Sequence, residues 1–263
     1  MDTLTEPEPV RAAATEVAPE LAPGIRRIVA NNPGRMTYWG TNTYVIDGPD
    51  GLIVLDPGPA GDAAHLAALL ALGPIRHILL SHGHSDHRGL VQVLQARTGA
   101  VLHAYGSVQD GDAPAGWTAL HTPGHAADHL CFTRGGVVFS GDHVMGWSTT
   151  VISPPDGDMA AYMASLSRMV AREDRVFLPG HGPPILAPAR FARAMLNHRL
   201  LREQLIADRL GPAPIPAAAL TRALYAGVSP ALWPAAERTV VAHLEKLAAD
   251  GRARTVADGW VAT

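Results

Sequence analysis

The stretch Ser81-His82-Gly83-His84-Ser85-Asp86-His87 puts three histidines and an aspartate within six positions. Just before it, Ile78-Leu79-Leu80 completes an apolar run, so the chain is expected to leave the C-terminal end of a buried strand over Ile75–Leu80. Open α/β sheets place their ligand sites at such strand ends. His82 and His84, two apart on an extended loop, can point the same way. Asp86 and His87 open the next helix and can face a second centre. Imidazole suits zinc and a carboxylate suits a harder ion, so the H-x-H-x-D-H order reads as a metal motif rather than a solvated polar loop.

Three later segments repeat one plan: an apolar strand, a small residue, then a candidate ligand. Leu120-His121-Thr122-Pro123-Gly124-His125 presents His125, Phe139-Ser140-Gly141-Asp142-His143 presents Asp142, and Phe177-Leu178-Pro179-Gly180-His181-Gly182 presents His181. Taken singly, each histidine reads as a satisfied polar group; their shared context reverses that. His121, His129 and His143 lie near these ligands and read as structural or supporting. Asp56, in Leu55-Asp56-Pro57-Gly58, is either a turn former or a hydrogen-bond partner that orients a ligating histidine. Thr41, Asn42 and Tyr44 are candidates to line a cleft, with strand packing an equal account of Tyr44.

The surrounding chain alternates short apolar runs with helical stretches, as in an α/β domain. Strands are expected at Ile25–Val29, Asn42–Ile46, Leu52–Leu55, Ile75–Leu80, Val101–Ala104, Thr118–Leu120, His129–Phe132, Val137–Phe139 and Val176–Leu178. Helices fit Ala63–Leu72, Gly89–Ala96 and Met159–Ala171. A longer helical pattern runs from Pro188 to Leu210, with Phe191, Met195, Leu200, Leu201 and Leu205 at helix-like spacing, until Gly211-Pro212-Ala213-Pro214-Ile215-Pro216 breaks it. A small unit follows: a helix at Ala217–Tyr225, a second at Leu232–Asp250 opened by Ser229-Pro230, and a hairpin turning at Asp258-Gly259. Helix, helix, hairpin is the outline of a winged helix. The implied division is a flexible tail over 1–22, a catalytic domain over 23–184, a connecting helix and linker over 185–212, and a winged-helix cap over 213–263.

Composition narrows the function classes. With 47% hydrophobic and 17% charged residues over 263 positions, the chain can bury a sizeable core. A net charge of −3 offers no general attraction to nucleic acid or anionic membranes. Lys246 is the single lysine among 21 basic residues, which reflects genome composition more than arginine chemistry. The lone Cys131 excludes an internal disulfide, and its strand setting makes it a small buried apolar residue rather than a nucleophile. Residues 1–22 carry Glu6, Glu8, Glu16 and Glu20 and lack a basic start and an apolar core, so a secretory signal is not expected. No apolar run approaches the ~18 residues of a membrane span. A cytoplasmic location is the expectation.

From roughly residue 25 to 184, these motifs resemble the metallo-β-lactamase superfamily. The resemblance implies an αββα sandwich with a binuclear centre in a cleft at one edge between the sheets. His82, His84 and His125 would hold one divalent ion, Asp86, His87 and His181 the other, and Asp142 would bridge them. The ions would be zinc, with manganese or iron(II) as alternatives. The implied reaction is attack on an electrophilic carbonyl or phosphorus by the hydroxide between the metals, with Asp86 orienting the water or taking its proton. The bridging aspartate resembles the glyoxalase II-like and nuclease branches and speaks against a true β-lactamase.

The C-terminal region narrows the resemblance further. Gly182-Pro183-Pro184, Asn197-His198-Arg199-Leu200-Leu201-Arg202-Glu203 and Val241-Ala242-His243-Leu244-Glu245-Lys246-Leu247 resemble the lactamase-β-like branch of endoribonucleases and polyketide thioesterases, which carries a winged-helix cap. An ester or thioester of a small acyl compound is the leading substrate class, and single-stranded RNA is the alternative. From Ala213 to Thr263 the cations Arg222, Arg238, Lys246, Arg252 and Arg254 exceed the four acidic side chains by only one, so a duplex-binding surface is not indicated. The cap is better read as shaping the cleft or forming a homodimer contact. A mononuclear iron persulfide dioxygenase is disfavoured by His181 and by the cap. A non-catalytic winged-helix protein is disfavoured by the full set of ligands, and glyoxalase II itself by the kind of cap.

Overall fold

A computed structural model describes residues 15–16 and 22–263. The tail expected over 1–22 therefore lies mostly outside the described residues. Within it Thr15–Glu16 forms a short strand, β1, registered antiparallel on Arg27 and Arg26. The described chain divides into two compact units, which are taken one at a time. One comprises the chain up to His121 with Leu130–Ser148 and Asp174–Ala187. The other comprises Thr122–His129, Thr149–Glu173 and Pro188–Thr263.

The first unit is built on two mixed sheets. In one, β1, β2 (Ile25–Val29), β3 (Asn42–Asp47), β4 (Leu52–Leu55), β5 (Ile75–Leu79) and β6 (Val101–His103) lie in sequence order. The first four pair antiparallel; β5 and β6 join in parallel, each reached through helical crossovers. These crossovers are α1 (Ala63–Ala71), then α2 (Ser85–Arg88) with α3 (Val91–Thr98). The other sheet runs β10-β9-β8-β7, from β7 (Thr118–His121), β8 (Leu130–Arg134), β9 (Val137–Gly141) and β10 (Val176–Pro179).

Strand periodicity explains how the first sheet is covered on both faces. Tyr44, Ile46, Ile53, Leu55 and Leu79 pack against Leu130, Phe132, Phe139 and Leu178 of the second sheet. Their alternating neighbours Val45, Leu52, Val54 and Ile78 instead meet Leu69 of α1 and Val91 and Leu94 of α3. Each such aliphatic side chain contributes about 1.5–3 kcal/mol on full burial, so a one-residue slip in β4 would exchange two well-filled layers. α1 starts on Asp62, whose carboxylate accepts from the His65 amide at 3.0 Å. Cys131 is buried in β8, as its strand setting implies.

The second unit is mostly helical. It contains α4 (Met159–Val170), α5 (Pro188–Ala207), α6 (Ala217–Leu224), α7 (Trp233–Ala249) and the hairpin β11 (Ala253–Val256) with β12 (Gly259–Ala262). Val240, Leu244 and Leu247 form one stripe of α7 and close on Ile206, Leu220 and Ala253. α5 packs on α4 as well as on α7.

Three local expectations are corrected here. Ser229-Pro230 opens a 3-10 turn over Pro230–Leu232, and α7 starts one step later at Trp233 with Pro234 in its first turn, because a proline can enter only where its missing amide is not needed. The hairpin turns on Ala257-Asp258, since Val256 pairs with Gly259. Gly259 has φ of +142°, and a Cβ there would sit 2.5 Å from the Ile215 carbonyl, so that glycine serves a close backbone approach rather than the turn. On α5, Leu200 and Leu201 are exposed while Arg199 and Glu203 are buried, which rotates the buried face away from the expected apolar stripe.

Candidate metal centre

The loops leaving β5, β9 and β10 carry all but one of the candidate ligands in the first unit. α2 begins directly after His84, whose backbone is still extended, so the four residues from Ser85 to Arg88 turn Asp86 and His87 away from the line of His82 and His84. The ligand-type atoms of Asp86, His87 and His181 lie within 4.8 Å of one another, and so do those of His82, His87 and Asp142. His82 Nε2 and His84 Nδ1 are 2.9 Å apart. Asp142 Oδ1 stands 3.5 Å from His87 Nε2 and 3.4 Å from His181 Nε2, and Asp86 Oδ2 stands 3.4 and 3.3 Å from the same two atoms.

The imidazoles of His82, His87 and His181 are each held through Nδ1, which turns Nε2 toward the cluster. Asp56 is the principal support. Its carboxylate accepts from the Ser81 amide (2.8 Å), the Ser81 hydroxyl (2.6 Å) and His87 Nδ1 (2.9 Å). Its backbone is left-handed at φ of +50°, a conformation that aspartate tolerates better than most residues. Of the two readings of Asp56, the hydrogen bond to a candidate ligand is present, and residues 56–59 form no turn. Ser81 Oγ accepts in turn from His82 Nδ1 at 2.9 Å. His181 Nδ1 donates to the Gly40 carbonyl at 3.2 Å.

Thr41, Asn42 and Tyr44 clamp the His181 loop. Asn42 Nδ2 donates to the carbonyls of Pro179 and Gly182, both at 2.9 Å, and the Tyr44 hydroxyl donates to Pro179 at 2.8 Å. Thr41 Oγ1 donates to Asp86 Oδ2 at 3.3 Å, and its backbone bridges to His181. Burial keeps the Tyr44 hydroxyl protonated well beyond the usual range.

His125 belongs to the second unit. Its Nδ1 donates to the Val151 carbonyl at 2.8 Å, so a metal bond would fall to Nε2. His129 pairs with the Thr122 hydroxyl at 2.8 Å, His121 stacks on Tyr105 and His143 is buried.

Three features of the first unit fit a cation. First, the carboxylates hold positive charge there. Burial disfavours the imidazolium of His181, yet Asp142 and Asp86 outweigh it and push the pKa up to about 9. Burial likewise opposes charge on His87, and Asp142 and Asp56 hold its pKa well above the ordinary value. Burial would raise both carboxyls, but His181 and His87 hold Asp86 down to about 2 and Asp142 well below its usual range. Second, His87 Nε2 is fully buried and makes no well-formed hydrogen bond, with the Asp86 and Asp142 carboxylates at 3.4 and 3.5 Å around it. Third, a Cβ on Gly180 would lie 2.6 Å from Asp142 Oδ1 and 2.7 Å from His87 Cε1, so the strand end leaves no room for a side chain beside the cluster.

Comparison with known proteins identifies the family. The profile of the metallo-beta-lactamase superfamily matches residues 36–108 and 101–181, spans that include all seven candidate ligands. The chain belongs to the metallo-β-lactamase superfamily. A second profile, the beta-lactamase associated winged helix domain, matches residues 217–260. The mixed α/β fold with a winged helix expected from the sequence is therefore the one present. The beta-lactamase-like protein 2 homolog of Drosophila melanogaster is 30% identical over 269 residues, covering 89% of this chain and 91% of that protein. The thioesterase pkgB of Emericella nidulans is 32% identical over 211 residues; this covers 72% of the chain but only 61% of that protein. A beta-lactamase domain protein from Burkholderia ambifaria superposes with a TM-score of 0.83 at 20% identity, covering 99% of this chain and 96% of that one. Among the described residues, no helix is long and apolar enough to cross a membrane.

Sequence reasoning passed over Ser81 as a site residue, although it heads the motif, and it missed the Gly40 carbonyl and the constraint at Gly180. Backbone carbonyls and missing side chains leave no residue-type signal; the serine hydroxyl acquires its role only when Asp56 arrives from a strand 25 positions earlier.

Proposed function

We propose that this metallo-β-lactamase superfamily hydrolase cleaves an ester or thioester of a small acyl compound at a binuclear centre. His82, His84 and His125 would hold one divalent ion, Asp86, His87 and His181 the other, and Asp142 would serve both. The observation that carries the proposal is the position of Asp142 Oδ1, within 3.5 Å of Nε2 of both His87 and His181. When bound, two divalent ions, zinc in this proposal, would supply a water that ionises near neutral pH and a Lewis acid for the carbonyl oxygen. Asp86, held down to about 2, stays ionised and is a weak base, so its carboxylate would orient a water at the site more than take its proton. Oxygen adds to the acyl carbon, the carbon–sulfur or carbon–oxygen bond breaks, and the thiolate or alkoxide leaves with the proton released from water. The thioesterase among the relatives supports a thioester as the bond cut.

The test pairs metal quantification with ester, thioester, phosphodiester and unstructured RNA substrates. Wild type should carry two ions and turn over thioesters. His84→Ala should lose activity, and Asp142→Ala should lose metal and activity together, by more than about 100-fold. Full occupancy with unchanged turnover in Asp142→Ala removes the shared-ligand role. One iron per chain, or RNA cleaved at low salt while thioesters survive, displaces the proposal.

A further inference from the structure

His125 differs from the other candidate ligands in what holds it. Its Nδ1 meets the carbonyl of Val151, the middle residue of a strip whose two neighbours are each tied to a different helix of the same unit. The Thr150 carbonyl accepts from Arg199 Nη2 on α5. The Ile152 amide donates to Thr239 Oγ1 on α7 at 3.4 Å. Thr150 and Ile152 are buried, so neither tie is replaced by water. The loop bearing His125 is fixed at its other side by α4: a Cβ on Gly124 would lie 2.3 Å from Tyr162 Cα, and the Gly124 carbonyl accepts from the Asp158 amide at 2.9 Å.

Arg199 is an expensive residue for packing alone. It is 1% exposed, on the same helix face as the buried Ala192 and Met195, where a leucine would fill the space without burying a charge. Its guanidinium sits 5.3 Å from the Tyr162 ring centre and donates to one main-chain carbonyl. That carbonyl belongs to the strip that faces His125.

We propose that Arg199 and Thr239 are positioning residues for His125: α5 and α7 hold Thr150–Ile152, and the Val151 carbonyl in that strip fixes the imidazole tautomer and ring direction. The C-terminal helices then carry the support of a ligand. The inference rests on the reading of His125 as a metal ligand.

Full-length protein stripped of metal and titrated with Co(II) tests it, through the absorption spectrum and chelator competition. Arg199→Met should weaken one Co(II) equivalent by about 10- to 100-fold and alter its visible spectrum, the size of effect expected when the partner of a ligating histidine is disturbed. Arg199→Lys, which keeps a donor, should recover most of the affinity. Thr239→Val should show a smaller loss of the same sign. Leu244→Ala, a core change in the same unit, should lower Tm and leave Co(II) affinity unchanged. His125→Ala is the reference: if it retains both ions, the ligand assignment itself fails. If it loses one while Arg199→Met binds Co(II) like wild type, the positioning role is overturned. Should Arg199→Met not fold, an unchanged Co(II) affinity in Thr239→Val overturns it equally.

Discussion

Among the described residues, two buried clusters of histidine and carboxylate solve opposite electrostatic problems. In the first unit, His87 and His181 sit among Asp56, Asp86 and Asp142, and both imidazoles are pushed toward the charged form. In the second unit, Glu203 is flanked by His243 at 3.5 Å, Lys246 at 3.1 Å and Arg252 at 3.6 Å. There the histidines move the other way. Burial first, then Arg199, Arg202 and His243, press His198 down to about 4, and burial with Arg199 lowers His243 against the pull of Glu203. One cluster is short of positive charge and recruits it; the other already holds its own cations. Histidine and acid near one another do not by themselves make a metal centre. The balance of fixed charge around them decides whether they suit one.

The largest test of this contrast is Gly180→Ala. The added methyl must displace Asp142 or His87, whose atoms lie within 2.7 Å of its position, so metal affinity and hydrolysis should both fall by about 100-fold with little loss of fold. Wild-type metal content measured by atomic emission would show that the cluster yields, and the contrast would lose its rigid side. Asp56→Asn should come next, at about 10-fold in metal affinity by chelator competition, because a neutral amide still fills the space but no longer supports His87 as a carboxylate does.

The smallest effect concerns pH. His198 has a folded pKa near 4, below its ordinary 6.5, so its neutral form contributes stability fully above pH 6.5 and loses it as pH falls toward 4. His181 has the opposite sign, its contribution being complete below pH 6.5 and lost as pH rises through about 9. In metal-free protein, His198→Gln should flatten the acid limb of a Tm-against-pH curve by about 2–4 °C between pH 7 and 4.5 and leave the alkaline limb alone. An unchanged acid limb would place the acid sensitivity elsewhere.

Much of the first unit was legible because its signals are local. Every expected strand from Ile25 to Leu178 has its counterpart within one or two residues, since apolar alternation bounded by turns is a property of short segments. The candidate ligands follow strands for the same reason. The second unit was less legible. Phe191, Met195, Leu200, Leu201 and Leu205 suggested one apolar face of α5, but burial of Arg199 and Glu203 depends on α4 and α7, whose approach no local pattern encodes. The turn at Ala257-Asp258 escaped for a similar reason: Gly259 answers to the Ile215 carbonyl, a contact from 44 positions away.

The sequence alone determined the residue types and spacing of the metal motif, the alternation of strands and the helix-helix-hairpin ending, because side-chain chemistry and periodicity travel with the chain. Only the tertiary structure decided which nitrogen each imidazole offers, which carbonyls and carboxylates fix it, and which charged residue of α5 is buried. Those depend on partners 25 to 140 or more residues apart, and hydrogen bonds of that span exist only once the chain has folded.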